Sequence, residues 1–264
     1  MKAAPVIAAL QKRGVSQRLI HTGQHYDSVM SDLFFTQLGL PQPDLHLGVG
    51  SGTHAQQTAA VLVGIEKALT DERPEVLIVY GDVNSTMAAT LAAAKLHVPV
   101  AHVEAGLRSF DRRMPEEVNR LVTDSLASLL FTPSADGDEN LQREGVSGKI
   151  HRVGNVMIDT LVRLMPKADA SHLLKNAGVS PGQPFVLVTL HRPATVDVTD
   201  VLENVLESLA TIARDYPVIF PVHPRTRARL AAKWLSTAGL HLIEPAGYLE
   251  FLALQRDAKL VITD

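Results

Sequence analysis

Three carboxylates, Asp82, Glu104 and Glu116, stand where the chain leaves a side chain free to do chemistry. Asp82 lies in YGDVNST, directly after the apolar run VLIVY, and Glu104 lies in AHVEAGLR, directly after VPVAHV. Short apolar runs separated by a helix-forming stretch read as parallel strands joined by a crossover, and such strands lie side by side. Asp82 and Glu104 are therefore expected at one edge of the sheet, the carboxyl edge where open α/β sheets bind ligands. Glu116, in MPEEVNR, can bring a third acid to the same crevice. Like charges that share a crevice raise one another's pKa, which suits proton transfer.

Each acid also has a structural reading. Asp82 fits a turn or cap residue, although Asn84 and Ser85 are caps enough for the following helix. Glu104 fits a buried carboxylate paired with Arg108; against that, a charge is costly there without a purpose, and Gly106 leaves room for a substrate near the backbone. Glu116, taken alone, is structural. Proline at the first helical position, acids in the first turn and a Glu116 to Arg120 spacing of four all stabilise a helix without any function.

A second group is cationic. His191 and Arg192 follow the apolar strand FVLVTL, and His223 and Arg225 follow VIFPV. Two strand ends that each present a histidine and an arginine fit a diphosphate, because guanidinium binds phosphate oxygens in pairs and a nearby anion keeps histidine protonated. Metal binding is the rival use of such groups, but no HxxxH or similar spacing supports it, and no metal is expected. Gln24 and His25, in TGQHYD, sit at another strand end, where facing a ligand and bonding their own turn are equally open. A lone GVGSG at residues 48–52 carries little weight as a phosphate loop.

The elements that must hold these groups follow from the pattern of apolar runs and breakers. Residues 1–14 read as an amphipathic helix closed by Gly14, then a short strand at 17–21, a helix at 28–38, a short strand within 40–52 and a helix at 53–69. Strands follow at 76–80, 98–103, 129–133 and 150–153, with helices between them. Residues 164–184 loosen into a proline- and glycine-bearing stretch that suits a hinge. A second α/β series starts at Phe185: strand, loop HRPATVD, helix 201–215, strand VIFPV, loop HPRT, helix, strand HLIEP, a short helix at 248–254 and strand LVITD. The fold class is α/β, two Rossmann-like doubly wound domains at 1–165 and 166–264. The first is expected to lack its opening strand and the second to be incomplete.

Composition narrows the rest. The 264 residues carry 25 basic and 28 acidic side chains, a net charge of −3, so no strong field would draw nucleic acid or an anionic membrane. Any anion must be bound by local groups. Cysteine is absent, which excludes disulfides and thiolate metal sites. No apolar run approaches the length of a membrane span, and the amino-terminal apolar centre is too short for a secretory signal. A cytoplasmic enzyme is the expectation.

TGQHYD, YGDVNST, HVEAGLRSFDRRMPEEVNR, VGNVMIDTL, LHRPATVD, PVHPRT and EPAGYLEFL, in this order, resemble the non-hydrolysing UDP-N-acetylglucosamine 2-epimerases. The resemblance implies a GT-B fold with the active site between two Rossmann-like domains, no metal or redox cofactor, a UDP-sugar as substrate and a homodimer. It further implies acid and base roles for Asp82, Glu104 and Glu116, which moves Glu116 from structural to functional. His191 matches a histidine acting at the diphosphate, Lys2 a lysine close to the substrate, and Phe251 the part that receives the uracil. With Gln24, His25, Arg108, Arg192, His223 and Arg225, these are the expected site residues.

Departures from the family pattern lead to two expectations. The family's opening strand with its diphosphate-binding arginine, and its later phosphate turn and ribose-binding glutamate, have no counterpart in this sequence, so weak or no turnover is expected from the 264 residues. Asp27 and Thr53 occupy places where some members bind a second, activating substrate molecule, so no such activation is expected. The alternatives are a 2-epimerase of UDP-2,3-diacetamido-2,3-dideoxyglucuronic acid, a GT-B glycosyltransferase, a hydrolysing epimerase and a non-catalytic UDP-sugar binder.

Overall fold

A computed structural model describes residues 1–23, 35–222, 224–232 and 239–264. The chain divides into two compact units, Met1–Val162 and Arg163–Asp264. Each is a parallel α/β layer.

In the first unit, α1 (Ala3–Lys12) leads to the short strands β1 (Ile20–His21) and β2 (Leu45–His46), which pair with each other in parallel. Then come α2 (His54–Glu72), β3 (Leu77–Tyr80), α3 (Asn84–Lys95), β4 (Val100–Val103), α4 (Pro115–Leu126), β5 (Leu129–Thr132), α5 (Ala135–Glu144), β6 (Lys149–Arg152) and α6 (Val156–Leu164). The four later strands form one parallel sheet in the order β3-β4-β5-β6. All four residues of β4 are buried, as a strand covered on both faces requires. The alanines of α3 (Ala88, Ala89, Ala92, Ala93) are buried too, and their small side chains let this helix close on α2 and the sheet.

The second unit opens with a 3₁₀ turn (Met165–Lys167) and α7 (Ser171–Asn176). The stretch expected to be a hinge is therefore structured. Ala168, Ala170, Ala177 and Val179 are buried, and this apolar content is why the segment folds onto its own unit despite its prolines and glycines. β7 (Val186–Thr189), α8 (Pro193–Val196), α9 (Thr199–Ile212), β8 (Val218–Pro221), α10 (Pro224–Ala232), β9 (Leu240–Ile243), α11 (Tyr248–Asp257) and β10 (Leu260–Thr263) follow. The sheet order is β10-β7-β8-β9, all parallel. In two stretches expected as loops, HRPATVD and HPRT, the residues from each proline onward, Pro193–Val196 and from Pro224, are helical instead. Proline fits the first turn of a helix, where its missing N–H costs nothing, and both helices begin on it.

Candidate active site

β3 and β4 pair in parallel with Tyr80 opposite Val103, so the turns after both strands leave the sheet together. The Gly81 amide donates to the Val103 carbonyl at 3.0 Å, extending the ladder by one bond. Asp82 and Glu104 thus stand at the same carboxyl edge, as expected from the strand pattern. Their environments differ from those expected.

Glu104 is not paired with Arg108. Its carboxylate forms an ion pair with Lys2, at the amino-terminal end of α1, with 19% of the glutamate and 28% of the lysine side chain exposed. The pair is half-open, so a ligand can reach it. Glu104 also has φ 76°, a left-handed backbone that a residue with a Cβ adopts at a cost, and such strain gathers at functional sites. Gly81 is left-handed as well, at φ 67°, and a Cβ there would lie 2.6 Å from the Lys2 ammonium. A side chain at position 81 would require the Lys2 ammonium to shift from its place beside Glu104.

Asp82 does not cap α3, and neither does Asn84. The N-cap is Val83, which has no capping side chain, and Asn84 turns inward to His54 and Gln57. The Asp82 carboxylate accepts from Arg120 at 2.9 and 3.1 Å and keeps 32% of its side chain exposed. Arg120 was expected to pair with Glu116 one turn earlier. It bonds Asp82 and Glu117 instead.

Glu117 is the residue that sequence reasoning missed. Its side chain is 2% exposed and accepts from the Ser109 amide (2.9 Å), the Ser109 hydroxyl (3.1 Å), the Phe110 amide (3.1 Å) and Arg120 (2.6 Å). Burial pushes this carboxyl up, but the bonds from Ser109, Arg120 and Phe110 outweigh it and hold it at about 2. Glu116 beside it is half-buried and has no side-chain partner among the described residues. Of the two adjacent acids, Glu117 holds the loop and Glu116 is left over.

Arg108 and Gly106 need correcting. The Arg108 side chain is only 1% exposed, between Asp124 (2.8 Å) and Glu144 (2.6 Å), so it offers no surface to a substrate. A guanidinium sequestered from water is favourable only with its charge paired, and two carboxylates supply that here. Gly106, at φ 82°, packs its open side against the Gly137 backbone, which a Cβ would overlap. Its space is filled by the protein.

In the second unit, His191 and Arg192 are exposed at the end of β7, just ahead of α8. The Asp264 carboxylate accepts from their amides, at 3.1 and 2.8 Å, and lies 3.0 Å from His191 Nδ1. That leaves Nε2 of a 69% exposed ring facing outward. Asp264 was also missed; the signal was an acid closing the apolar run LVIT. Burial raises its carboxyl, but the Arg192 and His191 amides, Thr195 and His191 together hold it below the usual range. Phe251 is half-buried in the first turn of α11, whose N-cap amide, Gly247, donates to Glu250 at 2.6 Å. Gln24, His25 and His223 lie outside the described residues, and only the backbone of Arg225 is described. A hollow bounded by Ser171, Lys175, Pro184, Asp257 and Lys259 contains none of the expected site residues. It lacks convergent groups that could act on a substrate, so the strand-edge cluster is the better candidate.

Among the described residues no group of three histidines or acids is placed to hold a metal, and no helix is long and apolar enough to cross a membrane. The fold is α/β with parallel sheets, of the GT-B-like class to which the solved structures it resembles belong. The family profile described as UDP-N-acetylglucosamine 2-epimerase matches residues 8–264. The UDP-N-acetylglucosamine 2-epimerase of Methanocaldococcus jannaschii is 43% identical, over all of this chain and 75% of that protein. A crystal structure of the enzyme from that organism, in complex with UDP-GlcNAc and UDP, superposes with a TM-score of 0.84 at 42% identity, over all of this chain and 75% of that one. The UDP-2,3-diacetamido-2,3-dideoxy-D-glucuronate 2-epimerase of Pseudomonas aeruginosa is 42% identical, over 97% of this chain and 72% of that protein. The chain belongs to the UDP-N-acetylglucosamine 2-epimerase family.

Proposed function

We propose that the protein is an isomerase that interconverts UDP-N-acetylglucosamine and UDP-N-acetylmannosamine, with Asp82, Glu104 and Glu116 handling the C2 proton. The observation that carries this reading is the juxtaposition of Asp82 with the Lys2–Glu104 pair at one strand edge, in a chain of this family. No carbonyl neighbours C2 of this sugar, so removing its proton alone would leave an unstabilised carbanion. Loss of UDP from C1 must share the work. The scheme is anti elimination of UDP to 2-acetamidoglucal, then re-addition of UDP with a proton delivered to the opposite face. Carboxylates of the first unit move the proton. His191, Arg192, His223 and Arg225 of the second hold the diphosphate and balance the charge it gains on leaving.

Replacing Asp82, Glu104 and Glu116 each by its amide, and following deuterium uptake at C2, tests the scheme. Loss of exchange in at least one variant is expected; normal exchange in all three would sink it. The 42% identical relative named for a diacetamido uronate supports a second reading of the substrate. Offering both UDP-sugars to one preparation decides between them. The enzyme is further proposed to act in the cytoplasm, as a homodimer, supplying sugars for cell-surface polysaccharide.

A further inference from the structure

The first unit buries a row of three ionisable side chains, His102, Asp124 and Arg108, that runs out to an exposed fourth, Glu144, and the scheme above uses none of them. His102, in the middle of β4, and Asp124, on α4, are both fully enclosed. His102 Nδ1 lies 2.6 Å from Asp124 Oδ1, and its Nε2 lies 2.8 Å from the carbonyl oxygen of Gly81. The other Asp124 oxygen accepts from the Gly106 amide at 3.1 Å and from Arg108 at 2.8 Å, and Arg108 continues to Glu144.

The hydrogen-bond inventory decides the state of the ring. A carbonyl oxygen has no proton to give, so Nε2 must donate to Gly81. Asp124 Oδ2 accepts from the Gly106 amide and lies 2.8 Å from the Arg108 guanidinium, a cation that favours the ionised carboxylate, so Oδ1 is read as the acceptor and Nδ1 as the donor. The ring therefore carries both protons. The buried groups then alternate in sign, histidine, aspartate, arginine, and Arg108 reaches the exposed Glu144, which is how charges are tolerated out of water.

What the row grips matters as much as what it is made of. One end holds the carbonyl of Gly81, the residue before Asp82. Its second member, Asp124, holds the amide of Gly106, two residues after Glu104. Gly81, Glu104 and Gly106 all have left-handed backbones, at φ 67°, 76° and 82°. Turns of this kind keep their shape only when their surroundings over-determine them.

We propose that His102 and Asp124 are positioning residues: the doubly protonated ring and its carboxylate form a fixed strut between the Asp82 and Glu104 turns, so that both acids address the same sugar carbon. The proposal rests on the reading of Asp82 and Glu104 as proton-handling groups. A leucine or methionine would fill the same volume without a buried charge, so simple core packing does not account for the ring.

Two measurements test it, and the first needs no turnover. In the ¹⁵N spectrum of the histidine-labelled chain at neutral pH, both ring nitrogens of His102 are expected to be protonated; one bare ring nitrogen would overturn the proposal. In H102Q and D124N, checked for folding by circular dichroism, kcat should fall by about ten- to a hundredfold while KM stays within about twofold, because misplacing a catalytic group costs turnover rather than binding. A folded variant with unchanged kcat, or with KM and not kcat altered, would also overturn it. If the variants prove too unstable, the amide signals of Asp82 and Gly106 in a milder change, H102N, give the same reading: unmoved signals refute the strut. Should the three amide variants of the acids retain full exchange while the ring is doubly protonated, the assignment of the acids fails and the strut does not.

Discussion

Glu116 and Glu117 are neighbours in sequence and opposites in structure. The helical turn places Glu117 inward, where four donors meet it, and leaves Glu116 without a side-chain partner among the described residues. The sign of the pH effect follows. Glu117 has an ordinary value of 4.5 and is held at about 2 in the folded chain, so it is a depressed carboxyl. Its contribution is present in full above about pH 4.5 and is lost as pH falls through about 2. E117Q should therefore be less stable than the unsubstituted chain at pH 7, with the gap narrowing as the pH is lowered over that window. Urea unfolding at several pH values reads this directly. A gap that stayed constant with pH would show that Glu117 acts through packing alone.

At the scale of elements, the contact of α5 with the turn after β4 is set by two glycines. Gly106 meets Gly137 with no space for a methyl group, and its φ of 82° is unfavourable for any residue with a Cβ. G106A should cost about 1–3 kcal/mol from the backbone alone, with more added by the overlap. A thermal melt within error of the unsubstituted chain would contradict the contact. The start of α2 is a milder case. Thr53 accepts from the Gln56 amide while the Gln56 side chain accepts from the Thr53 amide, a reciprocal capping box. T53A should cost about 1 kcal/mol, with little effect on turnover if Thr53 serves the helix and no ligand.

For the whole molecule, two predictions concern ligand response. UDP at about a hundred times its dissociation constant should stabilise the chain by about 2.7 kcal/mol, seen as a rise in melting temperature. An unchanged melt at millimolar UDP would count against a nucleotide site. The rate of a full-length relative with the same Asp27 and Thr53 should rise hyperbolically with substrate, and a sigmoidal curve would restore the activating second molecule. Much of the architecture was legible beforehand. Short apolar runs such as LIVY, VAHV and VLVT, bounded by turn residues, read as strands of a covered sheet, and parallel pairing of β3 with β4 then follows from the helix between them. The boundary between the units lies where the segment at 164–184 begins, but the helical turns within that segment were not legible, because proline and glycine mark breaks locally while its buried alanines and valine gain from packing that no local signal reports.

Side-chain partners divide along the same line. The sequence by itself determined which residues stand at strand ends, because the two-residue strand period and the 3.6-residue helix period are local properties. It could not determine that Glu104 pairs with Lys2, Arg120 with Asp82, Arg108 with Asp124, or His102 with the Gly81 carbonyl. Those partners lie from 16 to 102 residues apart in the chain. Only the packed layer brings them within bonding distance, and the desolvation cost of each buried charge then selects the partner that can satisfy it.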